Sequence, residues 1–315
     1  MRLRHGGSRF GIGRMTVVLP IVAAACCMAA SSAAASEVIR TINVGEEPLD
    51  VSSDGANVWV TNVTEGSPDG TVSDISASTG EVIKTITVGE KPRGVSSDRT
   101  HVWVANNAEN TVSEISASTG EVIKTIPVNG AFGVSSDAAH VWVTNPERGN
   151  EVFEIDPSKG EVINMFPAGI RGYELSSDGT DVWVANQFSD KVTELSASTG
   201  ELIRTINVGE TPVGISSDGT HVWVANNAEN TVSEIGASTG ELIKTITVGA
   251  NPARVSSDGT HVWVTNGGED TVSEITASSG EVIQTIPVGK SPVGVSSDGT
   301  HAWVANLGED TVSEI

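Results

Sequence analysis

An all-β chain of seven four-stranded units is what this sequence predicts, on three observations. The first is a repeat. Glu201–Gly240 matches Glu81–Gly120 at 32 of 40 positions, and the unit starts again at Glu37, Glu121, Glu161, Glu241 and Glu281. The second is strand patterning. Leu202–Val208, Val213–Ser217, His221–Asn226 and Thr231–Ala237 are short runs rich in Val, Ile, Thr and Trp. Alternation over such lengths argues strand, and no copy carries a helical 3.6-residue period. The third is a marker residue. Trp59, Trp103, Trp142, Trp183, Trp223, Trp263 and Trp303 follow one another at steps of 44, 39, 41, 40, 40 and 40. Four antiparallel strands in about 40 residues is the blade of a β-propeller, so seven Trp predict seven blades.

Each element has a local reason. Asp218-Gly219 supplies the positive φ of a tight hairpin between the second and third runs, and Ser238-Thr239-Gly240 closes another. The seven Trp are read as packing between blades. The repeating part opens at Glu37–Val44 with a run that elsewhere ends a copy, and it stops at Ile315 one strand short. Pairing Val38–Asn43 beside Thr311–Ile315 closes the ring, which removes two open sheet edges.

The segments Trp223-Val224-Ala225-Asn226 and Trp263-Val264-Thr265-Asn266 resemble the tetrapeptide that names the YVTN β-propeller repeat. The frame around them is similar too: Pro-x-Gly-Val, then Asp-Gly, then Thr-Val-Ser, then Ser-Thr-Gly-Glu. The resemblance covers Glu37–Ile315. It implies a propeller of the bacterial or archaeal surface or periplasmic type, mostly without an assigned reaction, although related propellers include lyases and lactonases. Glu114 and Glu234 stand where that family commonly has Val, which makes the blades more acidic.

Residues 1–35 lie outside the repeat. Arg2, Arg4, Arg9 and Arg14 precede an apolar run, Met15–Ala30, and Ala33-Ala34-Ala35 forms a small-x-small site. This is the pattern of a signal peptide cleaved after Ala35, leaving residues 36–315 as the propeller domain. The expected location is therefore secreted, periplasmic or cell-surface. Sixteen apolar residues are short for a membrane span, which takes about 20. Cys26 and Cys27 are the only cysteines, and cleavage removes both. Cys26 has no Leu or Val three residues before it, so plain cleavage is preferred to lipid attachment. A core built from about 280 residues needs no disulfide.

Charge excludes some partners. The chain holds 18 Lys and Arg against 40 Asp and Glu, a net charge of −22, and losing the four arginines of the leader brings it to −26. Such a surface repels phosphate backbones and anionic headgroups. Neither nucleic acid nor membrane insertion of the mature chain is expected, and the chain reads as a monomer.

Features that recur in every blade are read as scaffold. His101, His140, His221, His261 and His301 occupy one repeated position, shared with Asn57 and Asp181. They are read as second-strand surface residues held too far apart to share a metal. Asp74, Glu114, Glu154, Glu194, Glu234, Glu274 and Glu314 form a second ring. With Ala117 opposite Glu121 in a hairpin, Glu114 faces Lys124, and the same register pairs Asp74 with Lys84, Glu194 with Arg204 and Glu234 with Lys244. Asn164 and Gln284 take that place in two blades.

Specificity is sought where the repeat breaks. Asn62–Gly70 carries extra residues, blade three loses one before Phe132 and gains one around Arg148, and blade four has Gly172-Tyr173-Glu174 and Gln187-Phe188. Every Phe and Tyr after residue 35 lies between Phe132 and Phe188. Ahead of the innermost-strand Val or its equivalent stand Asp50, Gly94, Gly133, Glu174, Gly214, Arg254 and Gly294. The three charges in that column are expected at the mouth of the axial channel. The predicted recognition surface is therefore Phe132, Arg148, Arg171, Tyr173, Glu174 and Phe188 on top of blades three and four, with Asp50 and Arg254 at the channel. No catalytic residue, metal site or cofactor is assigned, although a divalent cation on the loop acids Glu65 and Asp69 stays open. The function expected is an exported, non-catalytic binding or scaffold propeller that takes a protein, glycan or small ligand on its top face. The alternative is a lyase or lactonase acting at the channel mouth.

Overall fold

A computed structural model describes residues 1–8, 11, 35–64, 66–137, 139–146, 150–169 and 171–315. The chain divides into Met1–Ala34 and Ala35–Ile315. In the first unit the described residues are exposed and have no regular secondary structure. The apolar run, the two cysteines and Ala33-Ala34 lie outside the described residues. No helix among the described residues is long and apolar enough to cross a membrane.

The second unit is the predicted propeller: seven four-stranded antiparallel sheets. Blade five shows the plan. Its strands, from the axis outward, are Pro212–Ser217, His221–Asn226, Thr231–Gly236 and Leu242–Thr247. Sequence repeat and blade are out of phase, because Leu202–Asn207 pairs onto blade four. The offset leaves blade seven short by one strand. Arg40–Asn43 fills the gap, with Arg40 opposite Glu314 and Asn43 opposite Thr311.

Between blades the core is aliphatic and hinges on Trp. Trp223 packs with Ala225, Val232 and Ile246 of its own blade and with Val255, Val262 and Ile275 of the next. Its indole N–H donates to Asp218 Oδ2 at 3.3 Å. Asp218 is a four-way tie. Its Oδ1 accepts from the N–H groups of Thr220 and His221 at 2.9 and 2.8 Å, and its Oδ2 also accepts from Ser257 Oγ of blade six at 2.8 Å. Burial works to raise the Asp218 carboxyl, yet those four donors outweigh it and hold it below the ordinary value. The same Ser-to-Asp bond joins every neighbouring pair of blades, including Ser53 of blade one to Asp298 of blade seven at 3.0 Å. The Asp-Gly turn is thus both a hairpin, with Gly219 at φ 80, and the clasp that holds the ring.

The acid ring sits in the predicted register: Glu114 faces Lys124, Asp74 Lys84, Glu194 Arg204 and Glu234 Lys244. The hairpin that delivers it differs from the expectation. Ser116, not Ala117, bonds to Glu121, and a bulge between Glu114 and Ile115 restores the register one residue later. The lysines also do different work. Lys84 Nζ donates to the Thr119 and Gly120 carbonyls of the next blade at 3.0 and 2.8 Å, and Lys244 repeats this at Ser279 and Gly280. The guanidinium groups do close on the acids, Arg204 on Glu194 at 2.7 Å and Arg40 on Glu314 at 3.1 Å, and Asn164 Nδ2 donates to Glu154 at 2.7 Å. The acids are buried, and the repeated histidines lie beside them rather than free on the surface. His101 Nε2 is 3.6 Å from Glu114 and its ring lies 5.9 Å from Trp103.

Candidate functional site: the mouth of the axial channel

The face that carries the blade-to-blade loops also carries the loops between second and third strands. The two sets are bonded to each other, as where Asn227 N donates to Thr211 O at 3.0 Å. On this face each innermost strand enters with one residue that rims the axis: Leu49, Arg93, Phe132, Tyr173, Val213, Ala253 and Val293. With Gln187, Asn227 and Arg254 they line a cavity of about 250 Å³. Leu49 and Arg93 also border a wider groove of about 950 Å³ beside the extra loop residues Val63, Thr64 and Gly66–Pro68.

A threonine in three second strands positions this collar. Where the tetrapeptide reads Trp-Val-Thr-Asn, the Thr hydroxyl donates to the collar carbonyl of the following blade. Thr61 reaches Arg93 O at 2.9 Å, Thr144 reaches Tyr173 O at 3.1 Å, and Thr265 reaches Val293 O at 2.7 Å. Elsewhere that position is Ala105, Ala185, Ala225 or Ala305.

Three collar groups and Arg254, from the column beneath, form a continuous series of contacts. The Arg93 guanidinium lies 5.5 Å from the Phe132 ring centre, Phe132 lies 4.5 Å from Tyr173, and the Arg254 guanidinium lies 5.7 Å from Tyr173. Cation–π contacts of this kind are worth about 0.5–2 kcal/mol, more as water is excluded.

Beneath the collar lie the residues of the following column. Gly94, Gly214 and Gly294 let neighbouring innermost strands close, since a Cβ there would come within 2.7–2.9 Å of the next blade's backbone. Asp50, Glu174 and Arg254 instead project inward. Arg254 Nη2 meets Glu174 Oε2 at 2.9 Å, and its Nη1 donates to Val213 O at 3.4 Å. Asp50 Oδ2 accepts from Val95 N at 3.0 Å. The Glu174 carboxylate packs on Gly133, where a Cβ would lie 2.9 Å from Oε1.

Burial pushes the Glu174 carboxyl up to about 7, against the pull of Arg254 and with added repulsion from Asp50. Burial raises Asp50 as well, opposed by Arg254 and the Val95 N–H. Both acids press the Arg254 guanidinium to stay charged despite its burial. Arg93 has no carboxylate within ion-pair distance among the described residues, and its Nε, like that of Arg254, is buried without a hydrogen-bond partner.

Five of the eight residues singled out in the sequence therefore converge: Asp50, Phe132, Tyr173, Glu174 and Arg254. Phe132, expected as an exposed aromatic, is buried, because it packs between Arg93 and Tyr173. Arg171 and Phe188 pair with each other at 4.3 Å and do not line the cavity; Phe188 is 62% exposed. Arg148 and Glu65 lie outside the described residues. Arg93, Leu49 and Asn227 were not anticipated, whereas Gln187 belongs to one of the repeat breaks noted in the sequence. The signal for Arg93 and Leu49 was the sequence column just before the one that was compared. Among the described residues no group of three or more His, Cys, Asp or Glu is placed to hold a metal ion.

A family model of the YNCE-like beta-propeller matches residues 117–218. No curated protein matches the chain. Among solved structures, the chain is similar to Kuenenia stuttgartiensis hydrazine synthase, at a TM-score of 0.73 and 17% identity over 87% of this chain and 96% of that one. It is also similar to a chain of a mitotic checkpoint complex, at a TM-score of 0.75 and 13% identity over 99% and 98%. These likenesses establish the β-propeller fold. Propellers present binding or scaffold surfaces in general, and the fold names no reaction.

Proposed function

We propose that this protein is a non-catalytic binding propeller that holds its ligand at the top mouth of the axial channel. One observation carries the reading: the Arg93–Phe132–Tyr173–Arg254 stack, contributed by four different blades and set over a buried charge cluster. A lined cavity with aromatic walls and a few convergent polar groups is the usual form of a ligand site. The remaining blades supply aliphatic rim residues, which close the cavity without competing for its polar contacts.

The leader pattern of residues 1–35 and the repeat's likeness to the YVTN type support an exported, surface or periplasmic location for this binding module. The strongly acidic exterior keeps it apart from nucleic acid and anionic membrane. A melting screen of the purified protein against small ligands, glycans and candidate partner proteins, with and without divalent metal, tests the reading. A ligand at 100 times its Kd stabilises by about 2.7 kcal/mol, which shifts the melting temperature measurably. Tyr173→Val should abolish the shift while leaving the fold intact, because Val213 and Val293 occupy the same collar position. A ligand whose shift survives Tyr173→Val binds elsewhere and contradicts the reading.

A further inference from the structure

We propose that the channel mouth recognises a small organic carboxylate, its anionic group on the edge of Arg93 and its apolar ring against Phe132 and Tyr173. The inference rests on the mouth being the binding site, and it names the ligand class. Arg93 is a cation without an acid. The other guanidinium at the mouth, that of Arg254, already faces Glu174 at 2.9 Å, whereas Arg93 has no carboxylate within ion-pair distance among the described residues. Its Nε is buried and unpartnered. An unpartnered buried N–H is unfavourable, so a shift of the Arg93 side chain that brings it to an incoming acceptor is favoured.

The Arg93 guanidinium carbon lies over the Phe132 ring, 5.5 Å from its centre, and a guanidinium donates through the N–H groups along its planar edge. That planar edge matches the two oxygens of a carboxylate and can bind it through paired hydrogen bonds. Beside it the Phe132 and Tyr173 rings, with Leu49, Val213 and Val293, form an apolar wall. An apolar body would lie there, and an aromatic one would gain a further edge-to-face or offset contact with the rings.

Size and charge set the rest. A cavity of about 250 Å³ falls below the usual range for drug-sized ligands, which selects a single ring over a dinucleotide or an oligosaccharide. A free cation at the mouth of a chain of net charge −22 attracts an anion where the rest of the surface repels it. Glu174, raised by burial to about 7, lessens the negative charge an incoming carboxylate meets by taking up a proton.

The test is isothermal titration of the purified protein near neutral pH with benzoate and 3-phenylpropanoate. Each is compared with its neutral amide and its cationic amine. The acids should bind about tenfold or more tightly than the amides and amines. Arg93→Gln should erase that preference while lowering the melting temperature only slightly, since Arg93 has no ion pair to lose, only its contact with the Phe132 ring. Arg93→Lys should restore part of it, because an ammonium keeps the charge but not the paired geometry. Equal binding of acid and amide, an unchanged acid affinity in Arg93→Gln, or no acid binding up to about 10 mM each overturns the proposal. If amides or amines bind instead, in a manner lost with Tyr173→Val, the mouth is still the site and only the carboxylate assignment falls. If no class of ligand or partner binds in a manner lost with Tyr173→Val, the binding reading falls with it.

Discussion

Glu174 Oε2 lies 2.9 Å from Arg254 Nη2, although the two residues come from blades four and six. The contact reaches past blade five and is closed on one side by Gly133, whose missing Cβ makes room for the carboxylate. In four of the seven blades this column is glycine. The pair is therefore an addition to the repeat, placed in the one region that all seven blades share.

Breaking that pair from one side should cost more than removing it. At about pH 8, where Glu174 is ionised, Glu174→Gly leaves Arg254 buried with only Asp50 nearby, and it should cost about 2–3 kcal/mol in chemical denaturation. Adding Arg254→Gly should recover at least half of that loss. Strictly additive losses across the four-protein cycle would show that the two groups do not interact.

Glu174 should also give stability a pH dependence of known sign. Its folded value, raised from the ordinary 4.5 to about 7, means that the folded state holds the proton more tightly than the unfolded chain. The stability this contributes is present below about 4.5 and is lost as pH rises through about 7. Asp50, Arg254 and Tyr173 face the group and stay in place in the comparison. Between about pH 5 and pH 8 the parent should therefore lose roughly 1–3 kcal/mol relative to Glu174→Gln. Parallel stability curves for the two proteins would refute the raised value.

The ring closure makes a third expectation. Deleting Glu37–Val44 removes Arg40–Asn43 and its register with Thr311–Glu314. Ser313, Glu314 and their neighbours then form an open edge, and Glu314 loses its Arg40 partner. Loss of a cooperative melt, or aggregation seen by light scattering, is expected. A truncated protein that melts like the parent would contradict the closure.

The inter-blade clasp makes a fourth. Asp218→Ala removes the acceptor for Trp223, Ser257, Thr220 and His221 at once. It should cost about 2–3 kcal/mol, because the buried Trp223 indole and the part-buried His221 and Ser257 donors lose their shared acceptor. Ser257→Ala, which removes one of the four bonds, should cost about 1 kcal/mol. Similar losses for both variants would mean that Asp218 does not act as the shared tie.

The scaffold was legible in the sequence because the repeat states it seven times. Trp spacing gave the blade count, and the offset of Glu37–Val44 gave the closure. Smaller features were less legible where one local departure could compensate another. The bulge at Glu114/Ile115 kept Glu114 opposite Lys124 even though the hairpin was read one residue out. Lys84 has the length to reach the next blade's carbonyls, and no pairing rule within one blade reveals that. At the site, Asp50, Glu174 and Arg254 stood out because each replaces a glycine. Arg93 did not, because it occupies the variable position of an otherwise regular Pro-x-Gly. A second signal, for three collar positions, was the Thr of the tetrapeptide, since Thr61, Thr144 and Thr265 bind the Arg93, Tyr173 and Val293 carbonyls.

The most direct test uses a fact of composition: Tyr173 is the only tyrosine in the chain. Growth on 3-fluorotyrosine therefore places one fluorine probe in the protein, at the collar beside Phe132 and Arg254. A ligand that stabilises the purified protein in a melting screen should shift or broaden the single fluorine resonance in a saturable way, with the same apparent affinity as the melting shift. A stabilising ligand that leaves that resonance unmoved at saturation would contradict the assignment of the channel mouth as the binding site.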